Sequence, residues 1–146
     1  MKIKVKSIIS IILAICLLYL TLYLKLNFDK MKEEKKREEM YSVKNKEDVL
    51  SFVNSHGFSF DEISSENKRI PFVFGDVYNE YNAIQKEQGF DLSKYKGKEV
   101  LIYKSSRKTD ETESYAEIIV YENLIIGCSV HSETNGNDIK PLLTPK

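Results

Sequence analysis

The sequence predicts an α+β protein. An N-terminal transmembrane helix and a charged stalk lead into a small two-layer domain, with two helices on one face of an antiparallel sheet of about four strands, in the order α-β-α-β-β-β. Three observations lead to this reading. Ser7 to Leu24 carries no charge and is bounded by lysines. Residues 45–57 and 75–89 each place apolar side chains at helical spacing and close on a glycine. Residues 100–130 contain β-rich runs separated by short polar breaks.

The uncharged run holds 18 residues, roughly 27 Å as a helix, which nearly matches a hydrocarbon core of about 30 Å. The flanking lysines can snorkel to make up the difference. Tyr19 and Tyr23 stand where an interfacial aromatic belt would lie. The rival reading is a cleaved signal peptide, for which Lys2, Lys4 and Lys6 supply the basic start. Against it, Leu18 to Phe28 contains only Leu, Tyr, Thr, Lys, Asn and Phe, so no small-x-small cleavage site follows. A lipoprotein is disfavoured too, since bulky Ile15 precedes Cys16 in the middle of the run. The expectation is an uncleaved signal anchor at residues 7–24, with the N-terminus cytoplasmic and the domain extracytoplasmic. The six Lys/Arg between Lys25 and Met40 compete with that orientation under the positive-inside rule.

Residues 1–40 carry nine basic and five acidic side chains, and residues 41–146 carry 13 and 17. An acidic domain without a basic stripe argues against nucleic acid as a partner. Cys128 is the only cysteine outside the anchor, so the domain has no internal disulfide.

Residues 25–42 read as a helical stalk. DKMKEEKKREEM (29–40) has high helix propensity, pairs Glu33 with Arg37 and Lys35 with Glu39, and has no apolar stripe to bury. An alternative for its lysines is contact with anionic lipid. The domain is set at 43–132. Asn45 caps a first helix of about Lys46–His56, whose Val49, Leu50, Phe52 and Val53 form the inner face. Phe58, Phe60 and Ile63 alternate as a strand, and Ser64–Arg69 reads as a loop or strand end. Val77, Tyr78, Tyr81 and Ile84 define the inner face of a second helix, about Gly75–Gln88. A compact turn spans Asp91–Gly97, and a strand starts at Val100. Ser105–Glu113 reads as a polar loop. Two further strands, Tyr115–Tyr121 and Leu124–Val130, join through a two-residue hairpin at Glu122-Asn123. Residues 133–146 read as an irregular tail.

No chemical constellation emerges; catalytic, cofactor-binding and metal-binding residues are all expected to be none. Cys128 and His131 lie three apart on a strand, hence on opposite faces, and the chain has only two histidines. His56 belongs to a helix end. Cys128 reads as a buried, inert thiol. Glu117, flanked by Ala116 and Ile118, reads as a solvated strand position. The tyrosines at 78, 81, 95, 103, 115 and 121 read as core fillers with wet hydroxyls, with a recognition surface as the alternative. The leading expectation is a non-enzymatic domain tethered to the membrane through residues 7–24, binding an unknown protein or peptide partner at the cell envelope. The alternative is a small envelope hydrolase or accessory subunit using clustered carboxylates. A purely structural role for the anchor is disfavoured by the lack of a Gly-x-x-x-Gly pattern.

The stretch Tyr81-Asn82-x-x-Gln85-x-x-Gln88-Gly89-Phe90-Asp91-Leu92-Ser93-x-Tyr95-x-Gly97, with Ile70-Pro71 before it and Val120-Tyr121 and Ile125-Ile126-Gly127-Cys128 after it, resembles an uncharacterised domain-of-unknown-function family of small membrane-anchored or exported proteins of Clostridia-like bacteria. The likeness covers about residues 43–132. It implies an extracytoplasmic location and brings no activity, ligand or cofactor.

Overall fold

The computed structural model describes residues 5–58, 62–108, 113–132 and 138–144. The chain divides into two compact units, Met1–Met40 and Tyr41–Lys146. The first is a single helix, α1 (Val5–Tyr41), which also contributes Tyr41 to the second unit. Its apolar part is long and hydrophobic enough to cross a membrane, with a mean hydropathy of 2.5 over the most apolar window, and its large apolar side chains are exposed. A helix of this kind near the N-terminus is compatible with a single-pass anchor or with a signal sequence.

The second unit is α+β. Helix α2 (Lys46–Ser55) begins at Asn45, whose side chain accepts from the Asp48 amide at 2.9 Å, while Asp48 returns a carboxylate to the Lys44 amide at 2.7 Å. Strand β1 (Glu62–Arg69) follows. Helix α3 (Asp76–Glu87) then ends in a Schellman turn. Gly89, at φ 86°, donates to the Lys86 carbonyl, and Phe90 donates to that of Gln85. A short 3-10 turn (Leu92–Tyr95) leads to β2 (Glu99–Lys108), β3 (Glu113–Tyr121), β4 (Leu124–Ser132) and β5 (Asp138–Pro141). All five strands pair antiparallel in chain order. The expected two-residue hairpin is present, with Glu122 and Asn123 at positive φ and Tyr121 facing Leu124.

The α+β class holds, and four details differ from expectation. The sheet has five strands rather than about four, because residues 138–141 of the supposed irregular tail pair with Ser129–Ser132. Residues 64–69, read as a loop or strand end, are strand throughout, the last six of eight successive residues (62–69) paired to β2. The supposed loop at 105–113 is strand through Lys108 and again from Glu113. The strand residue expected at Phe60, the loop centre at 109–112 and the tail at 133–137 lie outside the described residues. Lastly, the helices cover opposite faces. Val49 and Val53 of α2 share a core with Tyr41, Ala116, Ile118 and Cys128, whereas Tyr78 and Tyr81 of α3 pack with Val100, Ile102 and Ile119.

The link between the two faces is made by amides. Beyond Ser129, β5 no longer accompanies β4, and the outer edge of Cys128 needs other partners. Gln85 accepts the Cys128 N–H at 2.8 Å. Gln88 donates to the Cys128 carbonyl at 2.9 Å and accepts the Leu143 N–H at 2.8 Å. Asn82, one turn earlier, accepts the Leu92 N–H at 2.8 Å and donates to Asp91. The buried stripe of α3 is therefore Asn82, Gln85 and Gln88, and Val77, expected inside, is 82% exposed. Gly127 is matched to this packing, since a Cβ there would meet Gln85 Oε1 at 3.0 Å and the Leu92 side chain at 3.2 Å.

Replacing Gln88 by Leu leaves the buried Leu143 N–H and Cys128 C=O without their partner. The expected loss is about 2–5 kcal/mol of stability. Urea unfolding of the detergent-solubilised chain, with exposed Glu87→Ala as the control, measures it.

Candidate functional site

Strand alternation and register bring a row of polar side chains to the α3 face of the sheet. Lys104, Glu117 and Ser129 face one another across β2, β3 and β4, with Tyr115 opposite His131 in the next row. Tyr81 reaches down from α3. Its hydroxyl donates to Glu117 Oε1 at 3.0 Å and lies 3.1 Å from Ser129 Oγ, which in turn lies 3.0 Å from His131 Nε2. The His131 ring stacks flat on Tyr115, with centroids 4.5 Å apart and an interplanar angle of 7°. On the far side, Lys104 pairs with Glu66 of β1 at 2.9 Å.

The direction of the proton chain decides what this cluster can do. The Tyr81 proton points at the Glu117 carboxylate. The Tyr81 oxygen then accepts from Ser129, and Ser129 accepts from the Nε2–H of His131. His131 is therefore the donor to Ser129, the reverse of a general base drawing a proton from a nucleophile. Ser129 also has no exposed surface. Burial, and then the Glu117 carboxylate, push the Tyr81 phenol well above its usual range, and burial lowers His131 against the opposing pull of Glu117. The arrangement holds an ordered polar strip.

Glu117 is half-buried and bonded to Tyr81 rather than simply solvated, and the Tyr81 hydroxyl is bonded rather than wet. Cys128 is buried in the α2-side core, its thiol pushed up to about 12 mainly by burial, while His131 lies on the other face. His56 caps α2, its Nδ1 donating to the Phe52 carbonyl at 2.7 Å. Among the described residues no group of three or more His, Cys, Asp or Glu side chains is placed to hold a metal ion. Sequence reasoning missed Ser129 and the amide stripe. The stripe has a visible signal, amides at i, i+3 and i+6 ending on a stop glycine.

The other accessible feature is β1. Its inner edge is fully paired to β2 without a bulge, and its outer edge has no strand partner among the described residues. Residues 64–69 are exposed. The opposite edge, β5, is four residues long and ends at Pro141, a protected edge by comparison.

Residues 52–130 match the model of a protein family, a domain of unknown function designated DUF4830. No curated protein and no solved structure matches the chain.

The Cys128 thiol titrates at about 9.0 when unperturbed and at about 12 in the fold. Between these values the folded state keeps a proton that the unfolded state loses, so stability is full below pH 9 and falls as pH rises. The raised Tyr81 phenol adds to the fall above about pH 10. The expected slope from Cys128 is up to about 1.4 kcal/mol per pH unit. Cys128→Ala should flatten it, as read from urea midpoints across the alkaline range.

Proposed function

The chain belongs to the DUF4830 family of domains of unknown function, and we propose that it is a membrane-tethered, non-enzymatic domain that binds an extended protein or peptide segment at the cell envelope. The open outer edge of β1 carries this reading: eight residues in unbroken register with β2 and, among the described residues, no strand on the other side. A peptide added there would take its affinity from main-chain hydrogen bonds. Its selectivity would come from the neighbouring Glu66–Lys104 pair.

The tether is α1, with residues 7–24 in the bilayer, the N-terminus cytoplasmic and the domain outside. A non-enzymatic role is supported by the proton order at Ser129 and His131 and by the buried, high-pKa Cys128. The excess of acidic side chains in residues 41–146 disfavours nucleic acid as the partner.

Two measurements test the reading. Protease added to cells stripped of their wall should digest the domain; protection until lysis would place it in the cytoplasm. A photo-crosslinking residue at Ser65 or Asn67 of the full chain should form protein adducts in native membranes. Adduct formation no greater than from an exposed position on α2, such as Glu47, would remove the edge from consideration.

A further inference from the structure

Three apolar side chains within six residues of the domain stand in solvent: Phe72 is 70% exposed, Val73 82% and Val77 82%. They lie on the loop between β1 and α3 and on the first turn of α3. The loop is braced against the turn that precedes β2. Ile70 donates to the Lys98 carbonyl at 3.0 Å and Gly97 donates back to the Ile70 carbonyl at 2.9 Å. The Phe72 ring lies over Gly97, so closely that a Cβ there would fall 2.2 Å from it. Gly97 holds φ at 75°, and the Tyr95 carbonyl accepts from Lys98 across the turn. The two segments are thus hydrogen-bonded into one tip that carries the exposed apolar groups.

The second segment is basic. Lys94, Lys96 and Lys98 alternate along it and are all exposed. Lys96 Nζ sits 4.6 Å from the Phe74 ring centroid and Lys98 Nζ 5.8 Å from that of Tyr121. Over residues 70–79 and 92–98 these three lysines face a single acid, Asp76, on a unit whose acids otherwise outnumber its bases. Exposed apolar groups on a tip that also carries exposed lysines match the two layers of an anionic bilayer surface. The apolar groups enter the acyl boundary and the ammonium groups meet lipid phosphates.

We propose that the Phe72–Val73–Val77 tip docks the domain onto the surface of an anionic phospholipid bilayer, a second membrane contact in addition to α1. The inference rests on the tethered reading, which supplies the membrane and keeps the domain near it. A single tip of this size binds weakly alone; attachment through α1 raises the effective concentration of the surface and makes the weak contact sufficient.

The chain contains no tryptophan, so Val73→Trp gives a single reporter at a solvent-exposed position, and Val77→Trp gives a second. The full-length protein is reconstituted into vesicles of phosphatidylcholine with or without phosphatidylglycerol. Flotation with the vesicles is recorded first, then Trp emission and quenching by brominated lipid. Docking predicts blue-shifted, quenched emission in the phosphatidylglycerol vesicles. It also predicts that Lys96→Glu with Lys98→Glu lowers the docked-to-free ratio by about thirtyfold, near fivefold for each lysine. Vesicles that float with the protein while emission stays unshifted and unquenched overturn docking and leave the tether intact. Protein that fails to float overturns the tether and the docking with it. A blue shift already present in detergent and growing with protein concentration assigns the tip to a second copy of the chain, and also overturns docking.

Discussion

An antiparallel sheet needs a partner for every buried backbone group at its edge. In this domain part of that partner is a helix. β5 accompanies β4 only from Ser129 to Ser132, and the Cys128 amide and carbonyl are taken up by Gln85 and Gln88. This substitution fixes where α3 sits, and much else follows from it. Tyr81 is brought over Glu117 and Ser129, Asn82 over the Leu92 amide, and the chain after Gly89 passes the edge of the sheet so that Phe90 joins the opposite core beside Tyr41. The same Gln88 holds the Leu143 amide. One side-chain amide therefore connects a helix, a strand and the segment after β5.

The tyrosine-histidine-carboxylate cluster on the α3 face contains the residue types of a hydrolytic site, and its hydrogen bonds form a chain from His131 through Ser129 and Tyr81 to Glu117. Its protons are directed toward Glu117, and the serine at its centre is sealed. Such a network orders the surface around it. The exposed features of the described residues lie elsewhere, on the outer edge of β1, which has no strand partner among them, and on the apolar tip before α3. One is backbone and the other is apolar surface.

The parts of this fold legible in the sequence are those set by local rules. Asn45 and Asp48 cap α2, Gly89 stops α3, and Glu122-Asn123 turns the β3–β4 hairpin, each by interactions within a few residues. The extent of β1 was only partly legible because its residues 64–69 are exposed, so the alternation that marks a half-buried strand stops at Ile63. β5 escaped because four residues carry too little pattern and the pairing is with a strand already made. The inner face of α3 was misjudged because buried amides look, by hydropathy, like a solvent-facing side; Val77 points out and Gln85 points in. The polar cluster was half legible: the strand parity of Glu117 with Tyr115 is in the sequence, whereas its bond to Tyr81 depends on where the amides place α3. The resemblance carried by the Q-x-x-QGFDLS stretch acquires a physical basis here, since both glutamines, the glycine and the aspartate hold that placement.

The Gln88–Leu143 bond spans 55 residues of chain and closes a core that already holds Val49 from its other end. A ribosome makes Leu143 long after the apolar half of α1. Strands β2 to β4 can pair as neighbours while they emerge, but the α2-side core stays open until Leu142 and Leu143 arrive. The nascent domain is therefore incompletely folded until residues 142 and 143 have emerged.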